Sequence, residues 1–329
     1  MAHAIILSLD KYYIVGVYFM KILVTGVAGF LGSALAQRLL EDGHKVLGLD
    51  DLSTGKEEVI PAGVEFELGD MLDRPKLWTL LQDVECVYHL AAKVAVQESI
   101  LYPREYNSTN VGGTVSVMEA MRDVGVKRVV FTSSGAIYGA QKAQPLHELM
   151  VPSPDSPYAV SKLSAEFYVK TIGKLWGIET VTLRIFNAYG PGQHLPADHP
   201  PVIPNFLKQA VKGGSLIVHN SGSQTRDFVY LDDVVNALTR AGTASGVDGA
   251  TINIGSGKEY SVLDLVNNVV ELTGADTETI YNHKATGGVS RMRADITRAS
   301  KLLGYKPKFS LAEGLARTLE LDHRFKKGN

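Results

Sequence analysis

The sequence contains a single cysteine, Cys86, among its 329 residues. One thiol cannot form a disulfide within the chain, so the sequence predicts a protein of a reducing compartment, and we expect it in the cytoplasm. Cys86 lies in the apolar run at 84–88. That setting favours a buried, inert thiol over a catalytic nucleophile.

An excess of charge of either sign is also missing. The chain has 33 basic and 35 acidic residues, which gives a formal net charge of −2. Binding to nucleic acid or to an anionic membrane draws on clustered cationic charge. The charge balance therefore argues against both kinds of partner.

The sequence has no apolar run of the about 20 residues that a membrane-spanning helix requires. Two shorter apolar runs stand near the N terminus, at 4–9 and 12–19, and Asp10 and Lys11 separate them. The basic region and the small-residue cleavage site of a signal peptide are both missing there. We interpret residues 1–19 as a dispensable extension in front of a fold that begins at Met20.

The chain that follows alternates between strand and helix patterns. Helical periodicity is found at 33–40, 74–82, 106–124 and 157–175, and apolar, β-branched runs are found at 21–25, 45–49, 64–68, 85–90, 127–132 and 179–184. Strands of this composition that alternate with helices predict a parallel sheet covered on both faces. The predicted fold class is α/β, with a doubly wound (Rossmann) sheet.

The alternation loosens after residue 184. The stretch 187–204 shows no strand or helix pattern, and helices are predicted at 204–212, 231–243 and 261–273. We expect a smaller C-terminal α/β domain that binds the substrate, formed by 185–223 and 251–329. The sheet domain would comprise 20–184 together with about 224–250, and the substrate cleft would lie between the two.

A glycine-rich turn joins the first strand to the first helix. Gly26, Gly29 and Gly32 have the spacing that lets a backbone turn tightly, approach a pyrophosphate and pack helix on strand. A merely tight turn is the alternative. Asp50, which ends the second strand, favours NAD, because a carboxylate there accepts hydrogen bonds from ribose hydroxyls and repels the 2′-phosphate of NADP.

Tyr158 and Lys162 stand four residues apart at the start of a predicted helix, and therefore on one face of it. A nearby ammonium group can depress the pKa of a tyrosine far enough for proton transfer. A surface helix pair is the alternative interpretation. Ser134 ends the fifth strand, where ligands of such sheets bind, and is predicted to contact the same substrate oxygen as Tyr158. Ser133 is equally consistent with a helix or turn cap.

Together with further motifs, these residues resemble the extended short-chain dehydrogenase/reductases of the NAD-dependent epimerase/dehydratase family. The resemblance runs from Met20 to about Leu315. It is carried by the glycine turn, Asp50, the Ser134/Tyr158/Lys162 set and the motifs at 89–92, 110–114, 184–191, 225–229 and 302–305.

The resemblance implies an NAD-dependent epimerase that inverts C4 of a UDP-hexose through a 4-keto intermediate. Tyr158 would take the proton of the sugar 4-hydroxyl with help from Ser134, and Lys162 would hold the nicotinamide ribose. Phe186 matches a residue near the nicotinamide. Asn187 and Arg226 match contacts to the nucleotide diphosphate; a surface ion pair of Arg226 with Asp227 or Asp232 is the alternative.

The same resemblance, with the turn geometry, gives a full set of predicted cofactor contacts and an expected homodimer. The predicted contacts to NAD are Gly26, Gly29, Phe30, Leu31, Gly32, Asp50, Asp51, Leu52, Ser53, Thr54, Gly55, Asp70, Met71, Leu90, Ala91, Ala92, Lys93, Thr109, Tyr158, Lys162 and Phe186. The predicted dimer helices are 106–124 and 157–175.

The substrate side departs from the family pattern. Ala285 stands where the family often has an arginine on the diphosphate, and Gly288 stands at its aspartate, so Lys284, or Arg291 or Arg293, is expected to replace the arginine. A lysine lacks the bidentate fork of an arginine.

Three other positions bear on the base and the sugar. Val218 and His219 stand at the expected uracil contact, where an imidazole would replace a larger aromatic ring. Met292 matches the position whose size controls access for N-acetylated sugars. Methionine is adaptable, and we expect both plain and N-acetylated UDP-hexoses to be substrates.

The serine motif favours epimerisation over other reactions of the family. Family dehydratases carry an Asp-Glu pair where this chain has Ser134 and Gly135, since elimination of water needs a further acid and base. Asn187 argues against uronate epimerases. Other UDP-sugar reductases, dehydratases or decarboxylases are the alternative, and a non-catalytic regulator is a remote one. His194 and His199 lack further ligands at metal-binding spacing, so no metal is expected.

Overall fold

The computed structural model of the protein describes residues 19–283 and 289–326. Most of the predicted N-terminal extension, residues 1–18, lies outside the described residues. Phe19 packs against Gly43, immediately before the first strand.

Strands and helices alternate through the first half of the chain, as predicted. The strands are β1 (Lys21–Thr25), β2 (Lys45–Asp50), β3 (Glu65–Leu68), β4 (Cys86–His89), β5 (Arg128–Ser134), β6 (Glu179–Ile185), β7 (Asn187–Tyr189), β8 (Leu216–His219), β9 (Thr225–Arg226), β10 (Phe228–Tyr230), β11 (Ala250–Ile254), β12 (Tyr260–Ser261) and β13 (Thr279–Asn282). The α-helices are α1 (Phe30–Glu41), α2 (Arg74–Leu80), α3 (Val96–Leu101), α4 (Pro103–Asn107), α5 (Thr114–Val124), α6 (Pro157–Trp176), α7 (Val202–Val211), α8 (Leu231–Thr243), α9 (Val262–Thr273), α10 (Thr297–Leu303) and α11 (Leu311–Leu321).

Seven parallel strands form the large sheet, in the order β11–β6–β5–β4–β1–β2–β3. Consecutive strands run outward from β1 on one side and from β4 on the other. The strand order therefore reverses between β1 and β4, and the loops that follow these two strands separate to leave a crevice at the carboxyl edge. The predicted doubly wound parallel sheet is confirmed.

Side chains that alternate along each strand supply the two faces of the sheet. Ile22 and Val24 pack with residues of α1 and α8 on one face. Leu23 packs with residues of α2, α5 and α6 on the other. Because both faces are covered at the centre of the sheet, the middle residues of β1 and β4 are apolar, as the sequence pattern suggested, whereas the edge strand β3 carries exposed glutamates. Cys86 belongs to the first of these clusters, and burial raises the pKa of its thiol to about 12.

A third hydrophobic cluster unites α7, α9 and α11 with three small strand pairs. Those pairs are β7 with β10, β9 with β12, and β8 with β13. The large sheet with its helices is one unit, and the cluster around α7, α9 and α11 is the other. The chain crosses between these two units more than once, because β11 returns to the large sheet beside β6. Among the helices that the structure describes, none is both long enough and apolar enough to cross a bilayer.

Two sequence-based expectations about secondary structure were wrong. The helix predicted at 106–124 is divided into α4, a π-helical turn (Ser108–Gly113) and α5. The side chain of Asn110 in that turn bonds to another loop, a tertiary interaction that periodicity does not reveal. The stretch 187–204 also contains β7 and the start of α7, because β7 pairs over only three residues with the distant β10.

Candidate active site

The glycine turn between β1 and α1 leaves no room for side chains. Gly26 has a φ of +75° and donates its N–H to the carbonyl of Leu49 at 2.8 Å. A Cβ atom on Gly32 would lie 1.9 Å from the carbonyl oxygen of Gly26. No side chain caps α1 at Gly29. The first N–H groups of α1, at Phe30, Leu31 and Gly32, are therefore available to a phosphate.

Asp50 ends β2 directly beside this turn. Its Oδ2 accepts the N–H of Ala28 at 2.9 Å, and its Oδ1 accepts the N–H of Leu52 at 2.9 Å. Burial raises the pKa of this carboxyl, whereas the two backbone hydrogen bonds oppose that change. The loop at 51–55 folds back on the turn, where a Cβ on Gly55 would lie 2.5 Å from the carbonyl oxygen of Ala28.

The loop after β4 meets the glycine turn from the other side of the crevice. A Cβ on Gly26 would lie 2.7 Å from the backbone nitrogen of Ala91. Leu90, Ala91 and Ala92 line this loop, but the Lys93 ammonium is paired with Glu105 at 2.9 Å. Lys93 therefore offers its backbone, and not a free positive charge, to a ligand in the crevice.

The remaining predicted cofactor residues lie beside the π-helical turn or at the end of β3. Met71 is buried against Gly113, where a Cβ would lie 2.6 Å from the Met71 sulfur. Asp70 is exposed and accepts the N–H of Leu72 at 2.9 Å. Thr109 lies within the π-helical turn itself.

Asn110, which sequence reasoning did not select as a site residue, joins the cofactor loop to the catalytic helix. It accepts the N–H of Lys93 at 2.9 Å and donates to the carbonyl of Lys93 at 2.9 Å. It also donates to Ser161 Oγ at 2.9 Å, and Ser161 donates to the carbonyl of Tyr158 at 2.8 Å. The signal available in the sequence was the amide side chain of Asn110, which stands in a motif (110–114) whose other residues are smaller.

His89 extends this network to the first strand. Its Nδ1 lies 2.7 Å from Thr25 Oγ, and its Nε2 lies 2.9 Å from Thr114 Oγ. Because the Thr114 hydroxyl donates to the carbonyl of Asn110, His89 donates from Nε2 and accepts at Nδ1. Burial, with the nearby Lys162 charge, lowers the pKa of His89 to about 3. This imidazole is a neutral link between β1, β4 and the π-helical turn.

The three predicted catalytic residues come together at the carboxyl ends of β5 and β6. Ser134 ends β5, and Tyr158 lies in the first turn of α6, which Ser156 caps by accepting the N–H of Ala159 at 3.3 Å. Burial raises the pKa of Tyr158, and the neighbouring Ser134 hydroxyl opposes that change. In this environment the phenol holds its proton unless a positive charge acts on it.

Lys162 is buried next to Tyr158. Its Nζ lies 4.6 Å from the ring centroid of Phe131 and has no hydrogen bond or ion pair with any described residue. Burial lowers its pKa to about 8, and the Glu166 carboxylate opposes that change. The Ser133 hydroxyl is likewise buried without a partner among the described residues, so the alternative of a capping role for Ser133 is not observed.

One predicted cofactor contact, Phe186, and two predicted substrate contacts, Asn187 and Met292, gather beside this group. Phe186 packs against Gly135, where a Cβ would lie 3.3 Å from the phenyl ring. Asn187 donates to the carbonyl of Asp227 at 3.1 Å, and its Nδ2 lies 3.9 Å from the sulfur of Met292. Phe186 and Met292 belong to one small hydrophobic cluster, which borders the catalytic residues.

Arg226 is half-buried and forms no ion pair with a described residue. Its Nη1 donates to the carbonyl of Thr225 at 2.7 Å, and burial lowers its pKa. The alternative pairs are not found: Asp227 accepts N–H groups of Ser256, Gly257 and Ala294, and Asp232 pairs with Arg317. A half-buried guanidinium without a counterion is suited to a phosphate.

The other predicted substrate residues are more scattered. His219 is exposed, but the side chain of Val218 is fully buried in the third hydrophobic cluster, so only its backbone is open to a ligand. Lys284, Ala285 and Gly288 lie outside the described residues. Arg291 is bound by Glu259 at 2.6 Å, whereas the Nε of Arg293 is buried without a partner among the described residues.

His194 and His199 lie exposed on the loop before α7. In the parts of the chain that the structure describes, no three His, Cys, Asp or Glu side chains gather as metal ligands would.

We predict that Asp50→Asn shifts cofactor preference toward NADP. Removing the negative charge should lower the ratio of NADP to NAD dissociation constants by about tenfold or more, which corresponds to about 1.4 kcal/mol of repulsion with a 2′-phosphate. Titration calorimetry with both cofactors checks this. Glu67→Gln removes an equal charge at the end of the adjacent strand β3 and is the control. An unchanged ratio in Asp50→Asn would contradict the assignment.

Comparison with known proteins agrees with this geometry. Residues 22–255 match the model of the NAD-dependent epimerase/dehydratase family. A UDP-glucose 4-epimerase of Mycolicibacterium smegmatis is 39% identical over 308 residues, which cover 92% of this chain and 98% of the relative.

Solved structures are similar over the same span. The UDP-glucose 4-epimerase of Thermotoga maritima with UDP-glucose has a TM-score of 0.88 at 36% identity and covers 92% of this chain and 98% of its own. A UDP-N-acetylglucosamine 4-epimerase of Methanobrevibacter ruminantium, in complex with UDP-N-acetylmuramic acid, has a TM-score of 0.88 at 30% identity, with 92% and 97% covered. The expected family and its cofactor, NAD, are therefore confirmed: the chain belongs to the NAD-dependent epimerase/dehydratase family.

Proposed function

We propose that this enzyme inverts C4 of a UDP-hexose, interconverting the glucose and galactose configurations. The observation that carries the proposal is the meeting of Ser134, Tyr158 and Lys162 at the carboxyl edge of the large sheet, in a chain whose half-buried Arg226 forms no ion pair with a described residue. The UDP-glucose 4-epimerases to which the chain is similar support it. The large-sheet unit would bind NAD, and the unit around α7, α9 and α11 would bind the sugar nucleotide.

The residues present fit NAD. The glycine turn is packed too closely against its own backbone for side chains, α1 begins without a side-chain cap, and the Asp50 carboxylate lies against the same turn at Ala28. The buried Lys162 ammonium and the Ser133 hydroxyl, both without described partners, are groups that ribose hydroxyls would satisfy. NAD held by these residues would supply the acceptor, and then the donor, of the hydride at C4 of the sugar.

Tyr158 and Lys162 divide the proton transfer between them. Tyr158 removes the proton of the 4-hydroxyl and later returns it, and Ser134 orients the same oxygen by hydrogen bonding. Since burial raises the pKa of Tyr158, the phenolate forms only with positive charge nearby. Lys162 supplies that charge from within the protein.

The packing at Gly135 favours epimerisation over elimination of water. Family dehydratases carry a glutamate at this position, but here a Cβ would lie 3.3 Å from the ring of Phe186. A larger side chain would therefore require Phe186 to move. Without a second acid near C4, the 4-keto sugar is reduced again rather than dehydrated.

We predict that Tyr158→Phe retains NAD but loses turnover by about 10²-fold or more, the contribution of a general base. The assay follows conversion of UDP-galactose to UDP-glucose, with bound NAD measured after denaturation. Trp78→Phe, at an exposed position on α2, is the control. Near wild-type turnover in Tyr158→Phe would refute the role of this residue.

The same assay separates the rival functions. An epimerase leaves the absorbance of NADH constant over many turnovers, because each hydride is returned. A dehydrogenase or reductase would accumulate or consume NADH in proportion to product. A non-catalytic regulator would bind NAD and the UDP-sugar without forming product.

The sugar pocket is bordered by Met292, which is 7% exposed and touches Asn187. Its thioether is flexible and can move aside for a 2-acetamido group. We therefore expect UDP-glucose and UDP-N-acetylglucosamine both to be substrates, with kcat/KM values within about 100-fold, the range that a single apolar contact controls. Product analysis on a panel of UDP-, GDP- and dTDP-hexoses checks this. Activity on UDP-glucose with none on UDP-N-acetylglucosamine would contradict it.

We also propose a homodimer formed by a second copy of this chain. The exposed faces of α6 and of the neighbouring segment that includes α3 carry apolar side chains: Val94, Ile100, Leu101, Tyr102, Val160, Tyr168 and Leu175. Both α3 and α4 pack against α6, so these side chains lie on adjoining helices. Contiguous apolar surface of this kind is typical of interfaces, and two-fold pairing is the commonest way to cover it.

This surface replaces the helix at 106–124 as the dimer candidate, because none of the large exposed apolar residues lies on α5. We predict that Leu101→Glu combined with Val160→Glu gives a monomer by analytical ultracentrifugation, since charge cannot be buried unpaired. Leu149→Glu, at an exposed loop position, is the control and should leave the assembly unchanged. A wild-type monomer at micromolar concentration would refute the proposal.

We propose a cytoplasmic location because the chain has a single cysteine. Cys86 is a free, buried thiol, and a reducing compartment keeps a thiol in this reduced form.

A further inference from the structure

A buried ion pair joins two of the elements that carry the active site. Arg184, near the end of β6, donates from Nε to Glu166 Oε1 at 3.0 Å and from Nη2 to Oε2 at 2.8 Å. The side chains are only 7% and 8% exposed. Glu166 follows Lys162 by one turn of α6, so the two share a helix face. The ion pair therefore holds α6 against β6 at the turn that carries Lys162.

The same arginine also holds the serine loop. Arg184 Nη1 donates to the hydroxyl of Tyr138 at 2.9 Å, and the guanidinium lies 5.0 Å from the centroid of that ring. Tyr138 ends the 3₁₀ turn that begins directly after Ser134. Movement of Tyr138 would therefore move Ser134, whose hydroxyl acts on the Tyr158 phenol.

The position of Tyr138 is fixed from its other side by β11. Its hydroxyl donates to Asn253 Oδ1 at 2.8 Å, and Asn253 Nδ2 donates to the carbonyl of Leu146 at 2.9 Å. The backbone N–H of Asn253 donates to Glu148 at 2.8 Å. The buried Tyr138 hydroxyl thus accepts a hydrogen bond from Arg184 and donates one to Asn253. These two bonds fix its orientation.

The charge of Glu166 also reaches Lys162. Its carboxylate raises the Lys162 pKa and so opposes the effect of burial. The other titratable groups that face Lys162 are Tyr158 on its own helix and His89 on β4, and His89 is neutral. Arg184 is the cation that faces Glu166. Glu166 is therefore the anion that helps keep the Lys162 ammonium protonated.

We propose that Arg184, Glu166 and Tyr138 are positioning residues for the epimerisation, setting the separation of Ser134, Tyr158 and Lys162 without touching the substrate. The inference rests on the proposed function for its kinetic readout. The effect on structure does not depend on the proposed function, because the distance between Ser134 and Tyr158 can be measured in the protein without any substrate.

The decisive variant is Tyr138→Phe, which removes one oxygen atom and keeps the ring. Small displacements of reacting groups are costly, so kcat should fall about tenfold or more while the KM for the UDP-sugar changes less than about threefold. A crystal structure should show a longer Ser134 Oγ to Tyr158 Oη separation than in the wild type. The matched control is Tyr88→Phe, since the Tyr88 hydroxyl is buried without a partner among the described residues.

Glu166→Gln tests the charge. Without the carboxylate the Lys162 pKa falls, so the ammonium is lost at lower pH and the high-pH limb of kcat should move to lower pH. Tyr138→Phe keeps Glu166 and should leave that limb in place. If Glu166→Gln does not fold, Tyr138→Phe alone decides the matter.

A purely structural role gives a different pattern. Tyr138→Phe would then lower Tm but keep kcat within twofold of Tyr88→Phe, with Ser134 and Tyr158 unmoved, and the proposal would be overturned. Wild-type protein that binds NAD but does not epimerise any UDP-hexose refutes the proposed function instead. In that case the Ser134–Tyr158 separation in the variant crystals still tests the positioning role.

Discussion

A positive charge held in the interior is the constraint on which this active site depends. An ammonium group removed from water is costly unless other groups stabilise it. Around Lys162 the stabilising groups are the face of the Phe131 ring and the Glu166 carboxylate one helical turn away. The nearby His89 imidazole is neutral and adds no repulsion. A charge in a low dielectric acts on its neighbours with little screening, and the proposed mechanism applies the Lys162 charge to Tyr158.

The topology of the sheet sets where the other groups of the active site lie relative to the Lys162 charge. The reversal of strand order between β1 and β4 opens a crevice at the carboxyl edge, with the glycine turn on one side and the loop after β4 on the other. The next strands, β5 and β6, end with Ser134 and lead into Phe186. Hydrogen bonds then tie these loops together through buried side chains, so that the edge is a connected polar layer above an apolar core.

Local patterns were enough to predict much of this arrangement. Tyr158 and Lys162 were identified by a spacing of four on one helix, and Ser134 and Asp50 by their places at the ends of strands. The six strands up to β6 followed from runs of apolar, β-branched residues. In each case the residues that determine the position are close together along the chain. They lie within one helix turn, or within one strand and the loop after it.

What could not be predicted depends on partners far apart in the chain. His89 bonds to Thr25 and Thr114, and Tyr138 bonds to Arg184 and Asn253, in each case across long separations. No period in the sequence reports such pairs. The π-helical turn has the same origin, because Asn110 is held by the loop at Lys93. Val218 is different: next to the exposed His219 on one strand it must point to the opposite face, a rule that was available from the sequence.

The return of β11 to the large sheet has a consequence for how the chain is made. During synthesis β6 emerges long before Ala250–Ile254, and until then its outer edge, with Val181, Leu183 and Ile185, has no neighbouring strand. An open apolar edge is a site of aberrant pairing. The large sheet therefore cannot be completed on the ribosome until β7 to β10 and α7 of the second unit have been made. Since α9 and α11 of that unit follow β11, the two units are interleaved along the chain and neither is finished wholly before the other begins.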